Sequence, residues 1–336
     1  MTHYTGAASQ TRASGRLQLI LAFAATYVFW GASFLAIRFA VQEIPPLLMM
    51  AARCAAGATI LLSFLILRRD LERPTRQQFV RTLFAGLFCF LGCHGLLATA
   101  ERRVTSGEAA LYSSSTPLFV VLLDAARQRV APSAREVVGI LLGILGVGVL
   151  VGNSAASGRA LDRVVIVLGS LFWAGGSLVA RSGVPLRRSA QSTAMQLGSG
   201  AVALFAASVA TGELSHGWSF ADVAPRALLS LAFLVVCATV LAFGAYIWLL
   251  RVTTPAAAST YAFANPVIAL VLATLVGDGK LTMRAAFAAV LIVLAIALTR
   301  RTTSAPRITC SAERSETSTL TPRAHPGLHH VEDDGA

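Results

Sequence analysis

Two short stretches hold the residues best suited to chemistry in an otherwise apolar chain. Thr260-Tyr261-Ala262-Phe263-Ala264-Asn265-Pro266 lies inside an apolar run from about Ala256 to Gly277. Proline removes a backbone donor and pushes on the preceding helical turn. In lipid, the freed carbonyl needs a new partner or a water-lined cavity. Asn265 supplies an amide that donates and accepts, and Tyr261 precedes it by one turn on the same helix face. The counterpart in the first half is Tyr112-Ser113-Ser114-Ser115-Thr116-Pro117. Tyr112 and Tyr261 lie 149 residues apart (261 − 112), as do Pro117 and Pro266 (266 − 117). Matching interrupted helices in two halves of a membrane protein point to a solute path. The chemistry expected of Tyr112, Thr116, Pro117, Tyr261, Asn265 and Pro266 is reversible binding of a polar solute.

Further side chains join this set. Trp30 and Trp173 occupy equivalent places, each among small residues that let helices approach closely. Each lies eight residues before an arginine, Arg38 or Arg181, about 12 Å at helical rise. That depth favours a cavity wall over interfacial anchoring, the other common use of tryptophan. Tyr246 adds a hydroxyl to the second half. His94 is the best titratable candidate within the membrane; a structural histidine bonded to a neighbouring carbonyl is the alternative. Arg53 is the only basic residue deep in a span, and intramembrane charge is costly and usually functional. Snorkelling to the surface, or pairing with Glu43 or Glu101, stays open beside a functional role. Glu101, Glu108 and Asp124 sit near the ends of runs.

These residues need elements long enough to hold them in a bilayer, and composition supplies them. The 336 residues are 55% hydrophobic and 13% charged, with mean hydropathy +0.68. A soluble domain carries about 25% charged residues, so the class expected is polytopic membrane. The net charge of +12 falls between apolar runs rather than on one face. It reads as topology-setting charge, not as a nucleic-acid surface. Four of the five cysteines fall inside apolar runs, where cysteine acts as a small hydrophobe. Cys89 and Cys93 share a helix face beside His94, but no ligand cluster accompanies them and no metal or other cofactor is expected. Nucleotide loops and metalloprotease motifs are absent from the sequence, which argues against an ATP-driven pump and against an enzyme.

A membrane helix needs about 20 mostly apolar residues. Ten runs qualify: 17–37, 46–67, 79–99, 107–125, 135–153, 163–182, 190–211, 226–250, 256–277 and 282–299. Residues 1–16 are polar without the apolar core of a secretory signal, and 302–336 read as a disordered tail carrying His325, His329 and His330. Alternate loops hold eighteen Lys or Arg on one side against eight on the other, which places both termini in the cytoplasm. The halves repeat. Phe29-Trp30-Gly31-Ala32-Ser33 through Arg38 matches Phe172-Trp173-Ala174-Gly175-Gly176 through Arg181 at an offset of 143 (181 − 38), and Arg135 matches Arg284 at 149 (284 − 135). Five spans per half is an odd number, so the halves are expected to be inverted, a common basis of alternating access. The fold class expected is all-α integral membrane, ten helices in two inverted five-helix repeats, 17–153 and 163–300.

Several of these residues carry a family resemblance. Trp30-Gly31-Ala32-Ser33-Phe34 with Arg38, Pro45-Pro46, Arg53, Ala100-Glu101, Ser106-Gly107 and Ser115-Thr116-Pro117-Leu118 resemble the first EamA repeat. Ala245-Tyr246, Leu249-Leu250-Arg251, Ser259-Thr260-Tyr261 and Asn265-Pro266-Val267 resemble the second. Over residues 17 to 300 the chain resembles an EamA-type member of the drug/metabolite transporter superfamily. The resemblance implies export of amino acids, other metabolites or toxic compounds from the bacterial cytoplasm, with Trp30, Tyr246, Tyr261, Asn265 and Pro266 on motif positions. Import, a membrane-embedded enzyme and a non-transporting scaffold are the alternatives. His94 stands where relatives often carry Asn, and Asp278 where they often carry Glu; Glu108 replaces an apolar residue. The partners expected are a small-molecule substrate and the lipid bilayer, with no nucleic acid; the sequence leaves the oligomeric state open.

Overall fold

The structure, a computed structural model, describes residues 4–131, 133–151, 160–215 and 218–276, and the single positions 283, 287, 290, 291, 294, 295 and 298. All regular elements among the described residues are helical. The expected tenth span lies outside them except for those single positions, which are helical. Asp278, Arg284 and the 302–336 tail with its histidines also lie outside.

Local chemistry sets the helix starts. Helix α1 covers Tyr4–Ala40, and α2, Pro46–Leu67, opens on a proline whose missing donor costs nothing in the first turn. The third span begins with α3, Arg76–Gly86, where Thr75 and Gln78 form a reciprocal capping box. It continues through a π-helical segment, Leu87–Gly95, into α4, Leu96–Glu101. Then come α5 (Ser106–Ser113), α6 (Thr116–Gln128) and α7 (Ala134–Val151). The second half repeats the order: α8 (Ala160–Arg181), α9 (Ser189–Ala210), α10 (Pro225–Phe233) and a second π-helical segment, Leu234–Phe243, running into α11 (Gly244–Val252). A short α12 (Pro255–Ala258) and α13 (Tyr261–Leu275) follow. Seven helical stretches among the described residues are long and apolar enough to cross a membrane.

The expected single helices over 107–125 and 256–277 are each broken; the first break falls just before Pro117, whereas Pro266 does not place the second. The turns fall at Ser114-Ser115 and at Ser259-Thr260. Pro117 lies in the first turn of α6, while Pro266 sits inside the continuous helix α13. At both breaks a Ser-Thr pair bonds back to its own backbone. Ser115 and Thr116 donate to the Tyr112 and Ser113 carbonyls at 2.7 Å each. Ser259 and Thr260 donate to the Ala256 and Ala257 carbonyls at 3.0 and 2.7 Å. Hydroxyls that take carbonyls from the ladder compete with the helix.

Packing is reciprocal. Helix α2 lies along α9; α1 packs on α13 and on the 234–243 segment, and α8 packs on α6 and on the 87–95 segment. Glycines permit the close crossings: a Cβ on Gly86 would overlap Ser199 Oγ and the Gln196 carbonyl. Loops gather at two ends. At one, Asp70 pairs with Arg187 (2.7 Å) and Arg188 (2.6 Å), and Arg251 donates to the Leu186 carbonyl. At the other, Glu213 accepts from the Leu47 and Leu48 amides, and Glu43 accepts from the Ala224 amide. Arg103 also chelates Asp162, an interaction that pushes the guanidinium above its ordinary value through the hydrogen bond first.

Arg53 neither snorkels nor pairs with Glu43. It is 2% exposed, and its Nε donates to Thr239 Oγ1 at 2.6 Å. Glu101, at the end of the third span, is fully buried; neither carboxyl oxygen has a hydrogen-bond partner among the described residues. Its sequence place near a run's end gave no sign of this.

Candidate functional site

Four aromatic rings from four elements meet at the centre of the bundle. Trp30 stands on α1, Trp173 on α8, Tyr246 on α11 and Tyr261 at the start of α13. The Trp30 and Trp173 rings meet edge to face with centroids 5.4 Å apart. Trp30 also meets Tyr261 at 4.4 Å and Tyr246 at 5.1 Å, and Trp173 meets Tyr246 at 5.5 Å. Such pairs contribute about 0.5–1.5 kcal/mol each beyond area burial, which stabilises the arrangement seen here. The Tyr246 hydroxyl is 2.7 Å from Ser177 Oγ, which ties α11 to α8.

A cavity of about 50 Å³ lies against these rings. Its wall includes Trp30, His94, Thr116, Trp173, Tyr261 and Asn265, six of the ten residues singled out in the sequence. Tyr246 stands behind the wall in the aromatic cluster. Tyr112, Pro117 and Pro266 do not line the cavity; Pro117 and Pro266 are buried at helix contacts, and Tyr112 is half-buried. The wall also carries Ser33, Ser113 and Ser170, which are not among those ten. Spacing would have found two of them: Ser33 is three residues after Trp30 and Ser170 three before Trp173, positions that share a helix face.

The wall is wet in chemistry though buried. Ser33 donates to the Trp30 carbonyl, Thr116 to that of Ser113, and Ser170 to that of Ile166. Their lone pairs stay available as acceptors. Asn265 is 3% exposed, and its Oδ1 has no hydrogen-bond partner among the described residues. An unmet buried acceptor costs about 1–3 kcal/mol, so a ligand or water that donates to Asn265 recovers that cost. His94 stacks on Phe90 at 5.4 Å, and its Nδ1 lies 2.9 Å from the Cys89 carbonyl. A carbonyl only accepts, so Nδ1 carries the proton. Pockets for small molecules typically hold about 300–1,000 Å³. A 50 Å³ space is far smaller, so this conformation admits water and not a metabolite.

A many-helix membrane bundle with a buried polar cavity, and with broken helices beside it, is the build of a membrane transporter. The EamA-like transporter family matches twice, over residues 17–152 and 163–301, and the chain belongs to that family. It is 32% identical over 284 residues to the uncharacterized inner membrane transporter YedA of Escherichia coli K12, covering 84% of this chain and 90% of that protein. An uncharacterized transporter of Archaeoglobus fulgidus is 26% identical over 82% of this chain and 96% of its own length. A crystal structure of a protein 22% identical superposes with a TM-score of 0.64 over 83% of this chain and 95% of the other; it supports the fold. The protein is thus a multi-pass membrane transporter.

Proposed function

We propose that this protein is a secondary transporter that exports small metabolites, amino acids or related compounds, or drugs, by alternating access. Two inverted five-helix halves, 17–153 and 163–300, rock about the central cavity, with residues 1–16 and 302–336 on the cytoplasmic side. Trp30, His94, Thr116, Trp173, Tyr261 and Asn265 contact the substrate, Tyr246 backs the aromatic wall, and Tyr112, Pro117 and Pro266 shape the broken helices. The observation that carries the reading is the cavity itself. Its wall draws equivalent residues from both halves: Trp30 with Trp173 at offset 143 (173 − 30), and Thr116 with Asn265 at 149 (265 − 116). A site shared between inverted repeats is the arrangement alternating access requires.

The test is a growth screen of an overexpressing strain against amino acids, analogues and toxic compounds, followed by flux of each hit in proteoliposomes. Protection by a compound, with outward flux of it through the purified protein, is the expected result. Purified protein that moves none of the hits in either direction would overturn the reading.

A further inference from the structure

The two π-helical segments offer equivalent carbonyls to the aromatic cluster, and different side chains occupy them. Ala238 and Cys89 are 149 residues apart (238 − 89), the offset of the paired tyrosines and prolines. The Ala238 carbonyl accepts from Trp30 Nε1 at 2.8 Å. Trp173 is the equivalent of Trp30, so by the repeat its indole belongs on the Cys89 carbonyl. That carbonyl is instead taken by His94 Nδ1 at 2.9 Å. Trp173 Nε1 is buried with no hydrogen-bond partner among the described residues. The Tyr246 and Tyr261 hydroxyls lie near that nitrogen, and neither meets hydrogen-bond geometry with it. The rival rings touch: His94 and Trp173 have centroids 5.1 Å apart, edge to face.

An indole nitrogen can only donate, so an unmet Trp173 is a cost held in this conformation. A bistable contact of this kind is what a conformational change works on. We propose that His94 and Trp173 compete for the Cys89 carbonyl, and that the exchange is a positioning step of the transport cycle. With His94 on the carbonyl, the halves differ and the cavity is contracted as described. When His94 swings away, Trp173 takes the carbonyl and the second half adopts the arrangement Trp30 already has with Ala238. Helix α8 then shifts on the 87–95 segment, against which it packs directly. The inference rests on the reading of two inverted halves.

The direct test reads the indole. The chain has four tryptophans, Trp30, Trp173, Trp218 and Trp248. Their isotope-labelled indole nitrogens give four signals in nanodisc-embedded protein, assigned by single Trp→Phe substitutions. Trp30 is expected at a hydrogen-bonded shift and Trp173 at an unbonded one. In His94→Phe, which keeps a ring but removes the donor, the Trp173 signal moves to the position of Trp30; His94→Leu serves if that variant does not fold. A Trp173 signal unmoved in folded His94 variants overturns the competition.

A second arm reads the cycle in a background without native cysteines, where Cys89→Ala keeps the carbonyl. Reporter cysteines at Gln42 and Ala180 line separate cavities near the two ends of the bundle. His94→Phe should change the ratio of their thiol-labelling rates about five-fold, the effect of one net hydrogen bond, and should change nothing when Trp173 is already Phe. Equal shifts in both backgrounds mean independent packing effects and overturn the competition. Labelling of both reporters from the same membrane face overturns the inverted halves instead, and leaves the indole result standing.

Discussion

Arg38 and Arg181 hold the two halves in the same way. Arg38 Nη1 donates to the Glu101 carbonyl at 2.6 Å, and Arg181 Nη1 donates to the Leu250 carbonyl at 2.9 Å. The arginines are 143 residues apart (181 − 38) and their acceptors 149 (250 − 101). In each half, the end of the first span satisfies the end of the third. Charged donors near helix C-termini suit both the unmet carbonyls and the dipole. Arg38→Gln and Arg181→Gln should each cost about 1–2 kcal/mol, read as a lower melting temperature in detergent. A drop for one and none for the other would break the equivalence.

Asn265→Leu should separate stability from transport. It removes a buried acceptor that has no partner, so folded abundance and melting temperature should hold or rise. Transport of a substrate found in the growth screen should be lost. Wild-type rate and affinity in vesicles of the well-expressed variant would take Asn265 out of the site. Pro266→Ala, lying inside a continuous helix, should have the milder effect on transport.

Orientation is checked by labelling. Single cysteines at Gln42 and Arg187, in a background lacking the native ones, should react oppositely with an impermeant thiol reagent on intact cells. Gln42→Cys is expected to label and Arg187→Cys to stay protected. The reverse pattern would place the termini outside.

Two helical glycines make a packing control. Gly86→Ala meets Ser199 Oγ and the Gln196 backbone, whereas Gly198→Ala meets nothing within 4 Å. Overpacking costs about 1–3 kcal/mol, while a free helical Gly→Ala change gains up to about 1 kcal/mol. The melting temperatures should therefore move in opposite directions; equal shifts would deny the close crossing of α3 on α9.

Length and apolar content by themselves determined that this chain forms membrane-spanning helices, because a bilayer admits few other backbones. Residue spacing paired Trp30 with Trp173, since a repeat is written in sequence offsets. The family motifs were legible for the same reason. The position of the second helix break was not, because Pro266 drew attention while the Ser259 and Thr260 hydroxyls took the carbonyls. Nor could spacing tell that Glu101 is fully buried, that Arg53 turns to Thr239, or that His94 bonds the Cys89 carbonyl. Those facts depend on how each helix is rotated against its neighbours. Rotation is set by contacts among side chains far apart in the chain, so only the tertiary structure decides it.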